Sequence, residues 1–211
     1  MVDSSMRERI LTEAARLFAH RGYAGTTVQA VADAVGVTKP SVIYWYPSKK
    51  ALRDAVVDQM LLRWRELLPR LLQVASEGED RLDAVLGEVV HFFAEDPDRA
   101  RLLNRIAVDE PEETRDRLQG HLRPWLALLA GYIREAQRDG RARPEVDPDA
   151  WVIEVVVLLV ASFSTLEVGT GVLGGDPEDA RERLVGSLVR MVKSSLYRDP
   201  PPSSSPPLEN P

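Results

Sequence analysis

Apolar residues recur at spacings of three and four along almost the whole chain, whereas the alternation of two that marks a half-buried strand never persists. This periodicity predicts an all-α protein. The pattern divides into three short N-terminal helices, a long connecting helix and a group of helices that follow it. Residues 199–211 are rich in Pro and Ser, and this composition predicts a disordered tail.

Composition excludes several classes of protein. Hydrophobic residues make up 44% of the 211, which is enough to bury a core, so a disordered adaptor is excluded. The absence of cysteine excludes disulfide frameworks, thiolate zinc sites, iron–sulfur clusters and cysteine nucleophiles. The N-terminus has no apolar signal segment, and the longest apolar run, Val155–Ala161, is far shorter than the roughly 18 residues of a membrane span. We therefore expect a cytoplasmic protein with no membrane contact.

The first three predicted helices have the dimensions of a helix-turn-helix with a bracing helix. The first runs from about Ser5 to Arg21 and is closed by Gly22. The second opens at Thr26 with the capping-box pattern Thr-x-x-Gln, and Gly36 ends it. The third begins at Thr38, with a proline in its first turn, and ends near residues 46–47. Two short helices joined by a tight turn that contains glycine are typical of DNA-binding proteins, although many helical hairpins match this spacing.

The rest of the chain predicts longer helices. They are expected from Ser48 to about Leu71, with a kink or early end at Pro69, and over about 80–95, 97–106, 112–139, 148–168 and 177–197. Pro124 should bend the fourth of these six. The predicted organisation is a helix-turn-helix domain at residues 1–50, a helical ligand-binding and dimerisation domain at 51–198, and the tail at 199–211.

Charge is distributed unevenly between the two predicted domains. Eight basic residues and four acidic ones lie between Met1 and Arg53, so this segment carries +4, whereas the remainder carries −10 and the whole chain −6. A basic head on an acidic body suggests that the head approaches a polyanion.

Polar residues lie where a DNA duplex would meet the helix-turn-helix. The first turn of the third helix, which would enter a major groove, carries Thr38, Lys39, Pro40 and Ser41. The free N–H groups that follow Thr26 and Thr27 suit a phosphate oxygen.

Two lysines and an aromatic run add to this pattern. Lys49 and Lys50 place two cations at the positive end of a helix dipole, which is unfavourable unless an anion such as a backbone phosphate binds there. At the end of the third helix, Tyr46 is expected to be buried and Tyr44 exposed, with its hydroxyl toward a phosphate, and Trp45 is a further candidate contact.

These residues resemble the N-terminal domain of TetR-family transcriptional regulators. The matching segments are Arg9 to Phe18, Gly22-Tyr23, Thr26 to Val28, Val31-Ala32, Val35 to Lys39, and Tyr44 together with Pro47 to Leu52. The resemblance implies DNA contacts at Thr27, Thr38, Lys39, Tyr44 and Lys49. This chain departs from the family pattern at Pro40, where glycine is common, at Ile43, where tyrosine is frequent, and at Trp45, where histidine is frequent; Ile43 is not carried over.

The resemblance also implies a homodimer whose last two long helices pack against their twofold mates. Independently, the segment Trp151–Ala161 is apolar around more of its circumference than one core requires, so a second buried face needs a partner. Operator DNA, read as a pseudo-palindrome, and a small-molecule effector are the other expected partners. No cofactor is expected.

A pocket for a mostly hydrophobic effector should lie among the middle helices, near Pro124. The candidate lining residues are Phe92, Phe93, Leu103, Ile106, Trp125, Leu129, Tyr132, Trp151, Val155, Leu158 and Ser162. Apolar residues at helical spacing also suit an ordinary core. The expected mechanism is that a ligand in the body changes the distance between two heads and releases the DNA, which makes the protein a repressor.

Two other functions compete with this interpretation. An enzyme would have to use three scattered histidines, and no zinc-protease, phosphate-binding-loop or dinucleotide-binding motif occurs. A helical interaction protein could keep the head fold but bind another protein through it, although a basic head on an acidic body favours DNA.

Overall fold

Ten α-helices form the part of the chain that the computed structural model describes, residues 2–74, 79–109 and 111–197. They are α1 (Val2–Gly25), α2 (Val28–Val35), α3 (Lys39–Trp45), α4 (Lys49–Val74), α5 (Glu79–Glu95), α6 (Pro97–Asp109), α7 (Pro111–Arg138), α8 (Pro148–Ser164), α9 (Leu166–Leu173) and α10 (Pro177–Leu196). The described residues form no strand, only an isolated bridge between Ala142 and Tyr197. The all-α prediction is confirmed. The predicted tail lies outside the described residues.

Helices α1 to α3 form the head. Gly22 interrupts α1 with a φ of 71°, and Gly36 ends α2 with a φ of 78°, a conformation that favours glycine. The Arg9 guanidinium fixes α1 against α2 by donating to the Val35 carbonyl at 2.9 Å. Val42 of α3 is fully buried in the core of the head.

The second helix begins one residue later than the capping pattern predicts. The hydroxyl of Thr27, not that of Thr26, accepts the hydrogen bond from the backbone N–H of Ala30, at 3.0 Å. Thr27 is therefore the N-cap of α2.

Helix α4 belongs to the cores of both the head and the body. It begins as predicted, with the Ser48 hydroxyl accepting from the N–H of Ala51 at 3.0 Å. Leu52 and Val56 are buried in the hydrophobic core that includes the head, and Leu61 is buried farther along the helix. The helix continues through Pro69 to Val74, just as α7 continues through Pro124, so neither proline ends its helix.

Helix α6 packs between the head and the body. It contacts α1, where a carboxylate oxygen of Asp98 lies 2.9 Å from Nε2 of His20. It also contacts α8, where the Asn104 amide donates to the Ser164 hydroxyl at 3.2 Å. A displacement of α6 would therefore change the packing against both the head and the body.

The apolar segment predicted as one helix over 148–168 is divided into α8 and α9. The hydroxyls of Ser164 and Thr165 both donate to the carbonyl of Ala161, at 2.8 and 2.9 Å, and these side-chain bonds compete with the backbone ladder. The two helices meet at a 63° bend. No single described helix has the length and hydrophobicity of a membrane span; only the bent pair of α8 and α9 together meets that test.

Candidate nucleic-acid interface and apolar cavity

The exposed face of α3 consists of Lys39, Pro40, Ile43 and Tyr44. We call these four residues the α3 face. Helical spacing places them together and directs Val42 to the opposite, buried side. Tyr44 projects furthest, with 79% of its surface exposed, and Ile43 is 40% exposed. Ile43 is absent from the predicted contacts, although its position four residues after Lys39 could have placed it on this face.

Thr38 and Ser41 organise the first turn of α3. The Thr38 hydroxyl accepts from the backbone N–H of Ser41 at 3.4 Å, and the two hydroxyl oxygens lie 2.8 Å apart. Lys39 is exposed between them and has no ion-pair partner among the described residues. The turn is therefore held by its own side chains, while its cation is available to an external anion.

Thr26 does not belong to this surface, which corrects its predicted role. Its side chain is fully buried, and its hydroxyl donates to the carbonyls of Leu17, at 3.1 Å, and Gly22, at 2.9 Å. A hydroxyl used in this way stabilises the turn after α1 and cannot contact a phosphate. Thr27, by contrast, is exposed.

The two lysines at the start of α4 have partners within the protein. The Lys49 ammonium lies 4.3 Å from the centre of the Tyr23 ring and donates to the Ala24 carbonyl at 3.5 Å. It thus lies near carbonyls at the end of α1, where a cation is favourable, and this offsets its unfavourable position at the start of α4. Lys50 lies 3.6 Å from the Asp54 carboxylate on the surface. Both lysines therefore have partners within the protein, whereas the sequence analysis expected phosphates in those places.

The aromatic run at the end of α3 is divided between surface and core. Tyr44 is exposed and Tyr46 is buried, as expected. Trp45 is half-buried and packs edge-on against the Tyr44 ring, with the ring centres 5.1 Å apart. Burial raises the pKa of the Tyr46 phenol, and the nearby Arg7 guanidinium opposes that rise.

A cavity of about 100 Å³ lies in the body between α4, α5, α6, α7 and α8. Its walls contain only apolar and tryptophan side chains, and the Trp151 indole N–H is already bonded to the Ser195 hydroxyl at 2.8 Å. The lining residues are Leu61, Val85, Leu86, Val89, Phe93, Leu103, Trp125, Leu126, Leu129, Trp151, Val152, Val155, Val156, Leu159 and Val160. Such walls suit an apolar occupant.

Six of the eleven predicted lining residues face this cavity, namely Phe93, Leu103, Trp125, Leu129, Trp151 and Val155. The other five, Phe92, Ile106, Tyr132, Leu158 and Ser162, do not line it, and their role in ligand binding stays a prediction. Phe92 and Ile106 face two other spaces beside the head. The eleven divide in this way because apolar residues next to one another on a helix point to different sides, and the sequence does not show which side encloses a cavity.

Two histidines, His20 and His91, each lie beside a carboxylate at the surface. His20 faces Asp98, and Nε2 of His91 lies 3.1 Å from the Glu95 carboxylate. Within the described ranges, no group of three or more His, Asp or Glu side chains is placed to hold a metal ion.

Two segments of the chain match known protein families. The family described as "Bacterial regulatory proteins, tetR family" matches residues 10–56, and "Tetracyclin repressor-like, C-terminal domain" matches residues 78–168. The chain is 28% identical to the transcriptional repressor KstR2 of Mycolicibacterium smegmatis, over 69% of this chain and 72% of that protein. It is 29% identical to the transcriptional regulator RutR of Escherichia coli, over 69% of this chain and 68% of that protein.

Solved structures share the fold. The ketosteroid transcriptional regulator KstR2 of Mycobacterium tuberculosis superimposes with a TM-score of 0.72 at 16% identity, covering 92% of this chain and 95% of that chain. A transcriptional regulator from Saccharomonospora viridis, solved in complex with choline, gives a TM-score of 0.69 at 21% identity, covering 93% of this chain and all of that one.

The corrected role of Thr26 can be tested by replacing its hydroxyl with a methyl group. We expect Thr26→Val to lower the free energy of unfolding by about 1–3 kcal/mol, because two buried carbonyls lose a donor. Urea unfolding followed by circular dichroism measures this change. The same substitution at Thr12, whose hydroxyl is exposed on α1, should change it by less than about 0.5 kcal/mol. Equal losses at both positions, or weakened DNA binding by folded Thr26→Val protein, would contradict the assignment.

Proposed function

Because the chain belongs to the TetR family of bacterial transcriptional regulators, we propose that it is a dimeric repressor that an apolar effector releases from its operator. Family members are regulators rather than enzymes, so the enzyme alternative is rejected. The domain boundaries at residues 50 and 198 remain predictions of this proposal. Its site of action is the cytoplasm, where the DNA partner is found.

The α3 face carries the DNA-binding part of the proposal. It presents Lys39, a cation with no ion-pair partner among the residues that the structure describes, beside a projecting phenol, Tyr44, and an apolar side chain, Ile43. A cation and a phenol suit phosphate oxygens, and an apolar group suits a thymine methyl in the major groove. Thr27, Thr38, Ser41 and Trp45 surround these groups. Lys49 and Lys50 remain proposed phosphate contacts, which requires Lys49 to exchange its internal partners for a phosphate.

The salt dependence of binding tests this surface. Each phosphate neutralised contributes about 0.9 to the slope of log affinity against log salt, so Lys39→Ala should reduce the slope by about 2 in a dimer with two heads. The measurement is a salt titration of binding to the DNA upstream of the protein's own gene, found by footprinting.

Arg138→Ala is the matched control, because it removes one exposed cation from the far end of α7. It should leave the slope unchanged. Equal reductions in the two variants would mean that net charge, not the α3 face, governs binding. A footprinting search that finds no site bound more tightly than random DNA would reject the repressor.

The cavity supports the effector-binding part of the proposal. It touches α4 through Leu61 and α6 through Leu103, and these are the two body helices that also pack against α1. An occupant larger than the present space must displace one or more of the five surrounding helices, and the proposal assigns this movement to α4 or α6. Because α4 also holds Leu52 and Val56 in the core that includes the head, its displacement would tilt the head and change the spacing between two heads.

Filling the cavity tests this part. We expect p-xylene, a compact apolar probe, to bind the wild type, and Leu129→Trp to abolish this binding because the larger side chain occupies the space. Isothermal titration calorimetry measures both. Leu128→Trp is the matched control, since Leu128 is the exposed neighbour outside the cavity, and should bind as the wild type does. If both variants bind p-xylene as the wild type does, the probe binds outside this cavity.

An exposed apolar surface on α8 to α10 supports a homodimer. Val157 of α8 is 61% exposed, and Ile153, Val168, Val172 and Met191 are also exposed. Water-exposed apolar residues grouped on neighbouring helices indicate a protein contact. The proposed partner is a second copy of this chain, which joins two heads for a pseudo-palindromic operator.

A charge on this surface should separate the dimer. We expect Val157→Glu to shift the mass measured by light scattering from dimer toward monomer, because burying an unpaired carboxylate is unfavourable. Val108→Glu places the same charge at an exposed valine of α6 and should remain dimeric. A dimer that survives Val157→Glu, or a wild-type protein that is monomeric, would overturn the proposed interface.

A further inference from the structure

A second, larger crevice lies at the junction of head and body. It has a volume of about 370 Å³ and is enclosed by α1, α4 and the segment from the end of α5 into α6. This volume falls within the roughly 300–1,000 Å³ of small-molecule sites. The crevice is lined by Thr12, Ala15, Arg16, Val56, Gln59, Met60, Phe92, Asp96, Asp98, Arg99 and Leu102.

The crevice and the apolar cavity are separate spaces on different sides of the same helices. They have no lining residue in common, but three pairs of chain neighbours divide between them. The pairs are Met60 and Leu61, Phe92 and Phe93, and Leu102 and Leu103, with the first of each pair facing the crevice. The two spaces also differ in chemistry, because charged and polar side chains contribute about half of the crevice lining.

The positive end of the crevice is Arg16. Its side chain is 52% exposed, and its guanidinium pairs with Glu13 one turn earlier on α1, at 2.9 Å. Exposed pairs of this kind contribute little to stability, so the guanidinium can turn to another anion at little cost. Gln59 lies on the α4 wall, and its half-buried amide has no hydrogen-bond partner among the described residues.

The negative end lies at the start of α6. The Asp96 carboxylate accepts from the Asp98 N–H at 3.1 Å and lies 3.5 Å from Nε of Arg99, which leaves acceptor positions open. The Arg99 guanidinium is engaged by other groups. It donates to the Phe92 carbonyl at 2.6 Å, pairs with Glu95 at 3.2 Å and lies over the Phe92 ring. The crevice therefore carries on one wall a cation held only by an exposed ion pair, and on another a carboxylate whose longer contact with Arg99 leaves acceptor positions open.

We propose that this crevice binds a zwitterionic molecule of amino-acid size with an apolar side chain. Its carboxylate pairs with Arg16, its ammonium with Asp96, and the Gln59 amide bonds to either group. Its apolar part packs on the side chains of Met60, Phe92 and Leu102. Such a ligand bridges α1 of the head and α6 of the body, and its binding requires neither operator nor effector. The proposal therefore stands or fails independently of the proposed function.

The experiment is calorimetric titration of the full chain with L-leucine, L-methionine and L-phenylalanine. We expect at least one to bind, and Arg16→Gln to weaken its binding about tenfold or more through loss of a charged hydrogen bond. The ester and the N-acetyl derivative of the same amino acid each lack one charge and should bind about tenfold more weakly or worse.

Two variants serve as controls. Arg21→Gln removes a different exposed cation from α1, outside the crevice, and should leave amino-acid binding unchanged. Leu129→Trp fills the apolar cavity and should also leave it unchanged. The proposal is overturned if none of the three amino acids binds at millimolar concentration, if Arg16→Gln binds as tightly as the wild type, or if Leu129→Trp abolishes binding.

Discussion

Helix α6 packs against α1 of the head and against α8 of the body, so the placement of the head depends on α6. On the head side it pairs Asp98 with His20, and its Arg105 guanidinium approaches the backbone at Gly22 so closely that an added Cβ would lie 3.2 Å from it. On the body side Asn104 bonds to Ser164. Because these contacts are made by one rigid helix, a change in the body can reach the head without passing through a flexible linker.

The apolar cavity and the charged crevice are lined by different sides of the same helices. Leu103 of α6 contributes to an apolar cavity, while Leu102 contributes to a crevice with charged walls. Both spaces lie against α4 and α6, and both of these helices pack against α1. A ligand in either space therefore acts on α4 and α6. Whether it strengthens or weakens DNA binding depends on which arrangement of these helices it favours.

The DNA-binding proposal rests on a different kind of arrangement. The capping bonds of Thr27 and Thr38 fix the ends of α2 and α3, and Val42 anchors α3 in the core. Because the position of α3 is fixed by these contacts, Lys39 and Tyr44 are held on the surface without a further loss of backbone entropy when they bind. Polar residues at the helix ends thus serve folding directly and recognition indirectly, and Thr26 serves only folding because its hydroxyl is enclosed.

The sequence by itself determined the helices and most of their ends, because periodicity, caps and glycines act over a few residues. Gly36 ends its helix as expected, whereas Gly22 breaks α1 and the helix runs on to Gly25. The sequence also indicated the exposure of Tyr44. The break between α8 and α9 rests on local hydroxyl bonds to the Ala161 carbonyl, which hydrophobic periodicity does not reveal. Only the tertiary structure decided which residue of an adjacent pair faces a cavity and that Lys49 reaches the Tyr23 ring. Those outcomes depend on which helices meet, and contacts between residues distant in the chain leave no periodic signal in it.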